Sequence, residues 1–277
     1  MSNPVPPSSR QHDLLCPVCS QRLEPGETVA KCSEGHAFDR AREGYFNLLL
    51  ANQKGSNTPG DDNTAIQARR SFLTAGHYSF LVEALRDVRA NPGITLDAGS
   101  GEGYFLTGTT IGPSYGVDIS KPGIRLAART YPDHTWIVAN IARRIPISDQ
   151  SCDTILSIMA PRNRDEFARI LKQDGRLLVV MPGHGHLKQL VSQVMENDPP
   201  EIEKAATLTS EMAPAFCLEQ SDTVENTFAA DQETLRNLIA MTPLRWKSHK
   251  PSLAAASEID RLEVTAAFQV LVYRLVM

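Results

Sequence analysis

From residue 93 onward the sequence predicts an α/β domain, a mostly parallel sheet with helices on both faces, and a small metal-stapled domain stands in front of it. Three observations carry this. Strand-like and helical stretches alternate from residue 93, a glycine-rich turn closes the first of those strands, and a cysteine/histidine cluster sits near the start of the chain. Strands joined through helices lie parallel and become covered on both faces.

The 277 residues suffice for one large domain and one small one. A hydrophobic fraction of 42%, a charged fraction of 22% and a net charge of −4 are ordinary for a soluble globular protein. They exclude a chain-wide basic surface, so any nucleic-acid contact has to come from a local patch. The opening "MSNPVPPSSR" has no basic region followed by an apolar one and is no signal peptide; residues 1–12 read as a disordered tail. The apolar runs "TILSIMAP" and "RLLVVMP" are too short to span a bilayer. A cytoplasmic protein with no membrane partner is expected.

Residues 13–50 hold "LLCPVCSQRLEPGETVAKCSEGHAFD". In a reducing compartment, clustered cysteines read as thiolate metal ligands before they read as disulfides. Cys16-Pro17-Val18-Cys19 forms one knuckle, and Cys32 with His36 forms a second. The twelve residues between Cys19 and Cys32, with a Pro25-Gly26 turn, allow a hairpin back to the first knuckle. Three thiolates and one imidazole close a tetrahedral shell, the arrangement of one structural zinc ion. Cys152 and Cys217 lie in apolar surroundings and are expected to be buried core thiols.

Residues 51–92 read as a linker and helical connector. The stretch 52–63 is polar and rich in glycine and proline, and 64–89 carries apolar residues at helical spacing with a break near Gly76. In the domain 93–277, strands are expected at "ITLDAG", "SYGVDIS", "TWIVAN", "CDTILSIMA" and "GRLLVVMP", and helices at 121–131, 163–172 and 184–196. Near the end, "DQETLRNLIAM" suits a helix and "EVTAAFQVLVYRLV" a long closing strand.

The first strand ends in "LDAGSGEGYF". Asp97, Gly99, Gly101, Glu102 and Gly103 make a strand-to-helix turn where the backbone can approach a ligand closely. Nineteen residues after Gly99, Asp118 ends the second strand, where a carboxylate can accept hydrogen bonds from both hydroxyls of a ribose. A dinucleotide site places its third glycine three residues after the second; here the spacing is two. With the acid at the second strand end and "VAN" at the third, S-adenosylmethionine is favoured over a dinucleotide, with Asn140 near the adenine. The domain expected from the residues is therefore an α/β domain that binds S-adenosylmethionine at this turn.

Longer stretches are more specific. "CPVC…C…GHAFD", "AREGYFNLL", "GDDNTAIQARRSFLTAGHY", "LDAGSGEGYF", "GVDISK", "MAPRN", "MPGHGHL" and "MTPLRW" run over nearly the whole chain. In these the chain resembles the RlmA (RrmA) family of 23S rRNA guanine-N1 methyltransferases. Ser100 stands where a cysteine is common in that family, and Arg162 where it varies. The resemblance implies a zinc-binding domain in front of a class I (Rossmann-like) S-adenosylmethionine-dependent methyltransferase domain, and methylation of a guanine in a hairpin loop of domain II of the 23S rRNA. The wording is closer to the branch acting on guanine 745, with the guanine-748 branch as the alternative. It also implies that Tyr78 and His186 contact the cofactor.

On that reading the zinc module is a rigid reading head. Lys31, Arg40, Arg42, Lys54, Arg69 and Arg70 would supply cations for phosphates, and Tyr45 and Phe46 faces for splayed bases, unless those two rings lie in the core. For the guanine N1 proton, the sequence offers the backbone carbonyls of "MAPR" or a carboxylate such as Asp149, and no base is assigned. With zinc and cofactor in different domains, replacing Cys16 is expected to cripple RNA modification and leave cofactor binding nearly intact. A small-molecule methyltransferase would use the same glycine turn without a zinc module. A non-catalytic zinc protein would not need the turn and Asp118 together. A homodimer is left open as the assembly.

Overall fold

A computed structural model describes residues 13–55, 59–88, 93–195, 204–248 and 250–276. The expected tail, 1–12, lies outside the described residues.

Three short strands, β1 (Glu24–Pro25), β2 (Val29–Lys31) and β3 (Ala37–Asp39), form an antiparallel sheet in the order β1-β2-β3. The next strand, β4 (Phe46–Asn47), leaves this unit and pairs in parallel with β7 (Thr135–Val138), Phe46 opposite Ile137. The N-terminal segment thus extends the large sheet itself. Helix α1 (Asn63–Thr74) is capped by Asp62, which accepts from the Ala65 amide at 2.9 Å; α2 (Ser79–Val88) follows after the expected break at Gly76.

The large sheet continues with β5 (Thr95–Ala98), β6 (Tyr115–Asp118), β8 (Cys152–Ile158), β9 (Leu171–Pro182), β10 (Phe216–Asp231) and β11 (Arg261–Leu275). Its eight strands lie in the order β10-β11-β9-β8-β5-β6-β7-β4. Strands β4 to β9 pair in parallel within it, and β11 runs antiparallel to both β9 and β10. Helices α3 (Tyr104–Thr109), α4 (Lys121–Thr130), α5 (Arg164–Ile170), α6 (Lys188–Val194), α7 (Lys204–Met212), α8 (Gln232–Met241), α9 (Leu244–Lys247) and α10 (Lys250–Ala256) make the connections.

Successive residues of a strand point to opposite faces, so a doubly covered strand reads as an unbroken apolar run. Ile155 and Leu156 of β8 fall in different cores accordingly. The core holding Leu156 is covered by α1, α2, α6 and α8, through Phe72, Leu81, Leu190 and Leu235. The core holding Ile155 also contains Leu14, Cys16, Leu23 and Cys32 of the zinc-ligand segment, packed with Ile145 and Ile147. An isolated bridge pairs Leu14 with Ile147.

The 16-residue strand β10 is an element that the sequence patterning does not announce. It is an edge strand with one partner, β11, and most of its side chains face solvent. Cys217 lies on it and is exposed, which corrects the expectation of a buried thiol; Cys152 is buried as expected. Among the described residues no helix is long and apolar enough to cross a membrane.

Candidate functional site

The ligand atoms of Cys16, Cys19, Cys32 and His36 all lie within 4.8 Å of one another. Cys16 Sγ is 3.6 Å and Cys32 Sγ 3.4 Å from His36 Nδ1, and the Cys19 and Cys32 sulfurs are 3.6 Å apart. Zn–S bonds of about 2.3 Å and Zn–N bonds of about 2.0–2.1 Å give a tetrahedron with edges of roughly 3.5–3.8 Å. The four residues therefore fit one zinc ion, bound through His36 Nδ1, with no position left open for chemistry.

The second site opens at the carboxyl ends of the parallel strands, where open α/β sheets bind ligands. A cavity of about 480 Å³ is lined there by the turn after β5, the end of β6 and the residues after β7, β8 and β9. Its other wall comes from α1 and the segment 241–246. Seven of the expected cofactor residues line it: Tyr78, Gly99, Gly101, Glu102, Asp118, Asn140 and His186. Asp97 and Gly103 lie outside its lining, buried against the turn.

The turn is fixed by the strand beside it. The Gly99 and Ser100 amides donate to the Val117 carbonyl at 2.8 and 3.1 Å. Asp118 accepts from the Gly101 amide at 2.9 Å and the Ser120 amide at 2.6 Å. Gly99 has φ +93°, and a Cβ there would stand 2.4 Å from the Ala160 methyl, so neither the backbone nor the space admits a side chain. Asp118 is held between two amides at the end of β6, with lone pairs left for ribose hydroxyls; burial pushes its carboxyl upward although those bonds pull it down. Asp118→Ala is expected to strand two backbone donors and to weaken cofactor binding by about 1–3 kcal/mol, roughly 5- to 150-fold in Kd by calorimetry. Unchanged affinity would refute the assignment.

Several buried oxygens of the turn have no hydrogen-bond partner among the described residues: Asp97 Oδ1, Ser100 Oγ and both carboxylate oxygens of Glu102. Orphaned buried acceptors are costly and call for a ligand with donors or positive charge. S-adenosylmethionine carries an ammonium, a sulfonium and ribose hydroxyls, and the residues present fit it. Burial first, then Asp118 and Glu102, push the Asp97 carboxyl up to about 8. An acid with a raised folded-state pKa stabilises the fold most below its unfolded value of about 3.9. That contribution is lost as pH climbs through the folded value. A cationic ligand favours the ionised form, so cofactor binding at pH 7 is expected to release protons. Calorimetry in two buffers of different ionisation enthalpy measures the release, and Asp97→Asn should reduce it. Equal apparent enthalpies in both buffers for the unaltered chain would count against this.

His186 donates from Nδ1 to the Ala267 carbonyl at 2.7 Å, and its ring packs on Phe268 at 4.6 Å. Tyr78 is buried edge-on to Phe72 and Phe268. The Asn140 amide is committed to backbone, donating to Gln53 O at 3.1 Å and accepting from the Ala142 amide at 3.0 Å. It ties the exit of the zinc segment to the cavity wall.

Other expectations are corrected. Tyr45 and Phe46 are buried core residues and offer no face to a base. Arg69 is turned into the cavity, ion-paired with Asp61, and a Cβ on Gly101 would touch its guanidinium at 3.2 Å. Arg70 donates to the Tyr131 hydroxyl at 2.6 Å and lies over that ring. Lys31, Arg42 and Lys54 remain exposed, and Arg40 is partly so. Asp149 lies before β8, away from the cavity lining, and pairs with Arg169 at 2.6 Å, so it is no base for this site.

Residues 14–57 match the family described as "RlmA, N-terminal", a zinc ribbon, and residues 96–179 match "Methyltransferase domain". A Streptomyces fradiae protein named 23S rRNA (guanine(748)-N(1))-methyltransferase is 32% identical, the match covering 87% of this chain and 88% of that one. A protein of Micromonospora griseorubida named "Putative 23S rRNA (guanine-N(1)-)-methyltransferase" is 33% identical, with 94% and 97% covered. The chain belongs to the RlmA family. In this RlmA-family chain the ribbon and the cofactor fold share a sheet through β4 and a core through Leu14, Cys16 and Cys32. Membership also accounts for the two groups the chain would hold: one structural zinc and S-adenosylmethionine.

Proposed function

We propose that the protein transfers the methyl group of S-adenosylmethionine to N1 of one guanine in a hairpin loop of domain II of 23S rRNA, at the guanine-745 position. The observation that carries this reading is the union in one RlmA-family chain of a complete Cys3His ribbon and the cofactor cavity, joined through Asn140 and β4. The cofactor supplies an electrophilic methyl; the protein has to hold guanine N1 in line with it and let the N1 proton leave. Alignment alone accounts for much of such an acceleration. With Asp149 remote, no base is assigned. The backbone carbonyls of residues 159–162 after β8 can accept a hydrogen bond from N1–H. The proton itself passes to solvent or to a carboxylate of the cavity lining, which holds Asp61, Glu102 and Asp118. N1 lies on the Watson–Crick edge, so the base has to be unpaired or swung out of its stack.

Primer extension tests this, because an N1-methyl blocks pairing and stops reverse transcriptase one nucleotide before the base. A deletion strain should lose the stop, and this gene should restore it. A stop that persists in the deletion strain, or one restored on tRNA, overturns the proposal. A stop at guanine 748 would favour the second reading, which the name of the Streptomyces fradiae relative supports.

A further inference from the structure

Two of the six large hydrophobic side chains that the described residues expose belong to the same cavity: Met159, 45% exposed, and Trp246, 58% exposed. Neither is loose. Met159 follows β8 directly and sits at φ +52°, a left-handed conformation that an unbranched non-glycine residue adopts at a cost of order 1 kcal/mol. Its amide is held by the Val180 carbonyl at 2.9 Å. Trp246 lies on α9, beside Arg245, whose guanidinium grips Asp62 through two bonds of 3.2 and 3.0 Å. The same guanidinium lies 4.4 Å from the centre of the Trp246 ring. One ring face is thus backed by a fixed cation, itself anchored to the N-cap of α1, while more than half of the side chain stays open.

Topology separates Met159 from the cofactor's anchors. Asp118 ends β6 and the glycine turn follows β5, whereas Met159 follows β8, the neighbour of β5 on its other side. Going along the carboxyl edge of the sheet, the ribose acceptor comes first, then the turn, then Met159. Met159 therefore stands at the end of the cavity away from Asp118, next to the carbonyls of residues 159–162, and Trp246 lines the same cavity from the segment 241–246. Enzymes that act on an extruded base hold it between aromatic or apolar side chains, because every base offers a π-face whatever its edge carries.

We propose that Trp246 and Met159 form the stacking jaw that receives the extruded purine, with the Arg245–Asp62 pair positioning the indole. The inference rests on the guanine-N1 reading above and adds the residues that hold the base. It also gives the segment 241–246 a role in substrate binding.

The test measures methyl transfer to protein-free 23S rRNA together with cofactor affinity by calorimetry, for the unaltered protein and for Trp246→Ala, Trp246→Phe and Met159→Ala. Trp246→Ala should lower kcat/KM for RNA roughly ten- to a hundredfold, the range that loss of a base–aromatic stack produces. Its cofactor Kd and thermal midpoint should stay within about twofold and about two degrees of the unaltered protein's, since this side chain is largely exposed. Trp246→Phe should recover most of the loss, and Met159→Ala should lose several-fold. With two tryptophans in the chain and Trp136 buried, fluorescence quenching by RNA should come from Trp246 and vanish in Trp246→Phe. Full activity in Trp246→Ala overturns the jaw and leaves the methylation reading standing. So does a cofactor Kd that rises as much as kcat/KM falls, which would place the indole against the cofactor. No methylation of rRNA by the unaltered protein overturns both.

Discussion

Replacing Cys16 with Ser, or stripping the zinc, is expected to lower the thermal midpoint of the whole chain in one transition. Detachable domains would instead melt an N-terminal unit and leave the cofactor fold standing. The packing decides between these outcomes. Cys16 and Cys32 are buried in the same core as Ile137 and Ile155 of the large sheet, and β4 supplies its edge strand. The zinc holds together segments too short to stabilise themselves, since β1, β2 and β3 have two or three residues each. Structural zinc binds zinc-finger peptides with roughly 10–16 kcal/mol at about pH 7. If only about 4 kcal/mol of that is coupled to the fold, the midpoint should fall by about 8–16 °C. Cofactor affinity should fall too, because Asn140, in the cavity wall, is held by Gln53 at the ribbon's exit. The shared core replaces the expectation that cofactor binding would survive nearly intact. Calorimetric scanning with and without chelator reads it: two separated transitions, the upper one unmoved, would refute the coupling. Metal analysis should find one zinc per chain in protein purified without chelator.

Much of this architecture was legible because parallel strands announce themselves. The buried part of β9 reads as the apolar run Leu177–Met181, β8 carries Ile155 and Leu156 side by side, and the glycine turn marks the strand that leads into it. The strands that went unread lack that signal. β10 spans 16 residues with mostly polar side chains, because it has one neighbour and a solvent edge. β4 is two residues long and owes its pairing to the tertiary fold. At the site, composition misled where geometry was needed. Arg69, read as a phosphate contact, lies on the same helical face as Ala65, Ile66, Phe72 and Leu73, at three- and four-residue spacings. That spacing already places it inward; its guanidinium meets Asp61 in the cavity, and the pull of Asp61, Glu102 and Asp118 outweighs the burial that opposes its charge. Tyr45 and Phe46 were equally ambiguous from sequence, since an aromatic beside cations can be a platform or a core residue. Trp246 shows the reverse, with a familiar motif but no sequence signal for its exposure at the cavity.

Gly103→Ala is expected to be among the most damaging single substitutions outside the zinc site, costing about 2–5 kcal/mol of stability and much of the cofactor affinity. Two penalties combine. Gly103 sits at φ +86°, a conformation that costs an L-residue roughly 1–2 kcal/mol. A Cβ there would also stand 2.3 Å from the Trp136 ring, and overpacking a buried ring ordinarily costs about 1–3 kcal/mol. The ring cannot retreat easily. Its Nε1 donates to the Tyr131 carbonyl at 2.8 Å, and Gly116 leaves it the same room, a Cβ there meeting the ring at 2.2 Å. Trp136 thus packs into space that two glycines keep open, and the cofactor turn rests on it. Any shift that relieves the clash has to move the turn, and with it the Gly101 amide that Asp118 holds at 2.9 Å. A double-mutant cycle separates the two penalties. Pairing Gly103→Ala with Trp136→Phe should return the steric part, because the smaller ring vacates the contact, while the backbone part remains. Denaturant unfolding supplies the four free energies. A coupling near zero would show that the ring does not support the turn, and the damage would then belong to the backbone conformation alone.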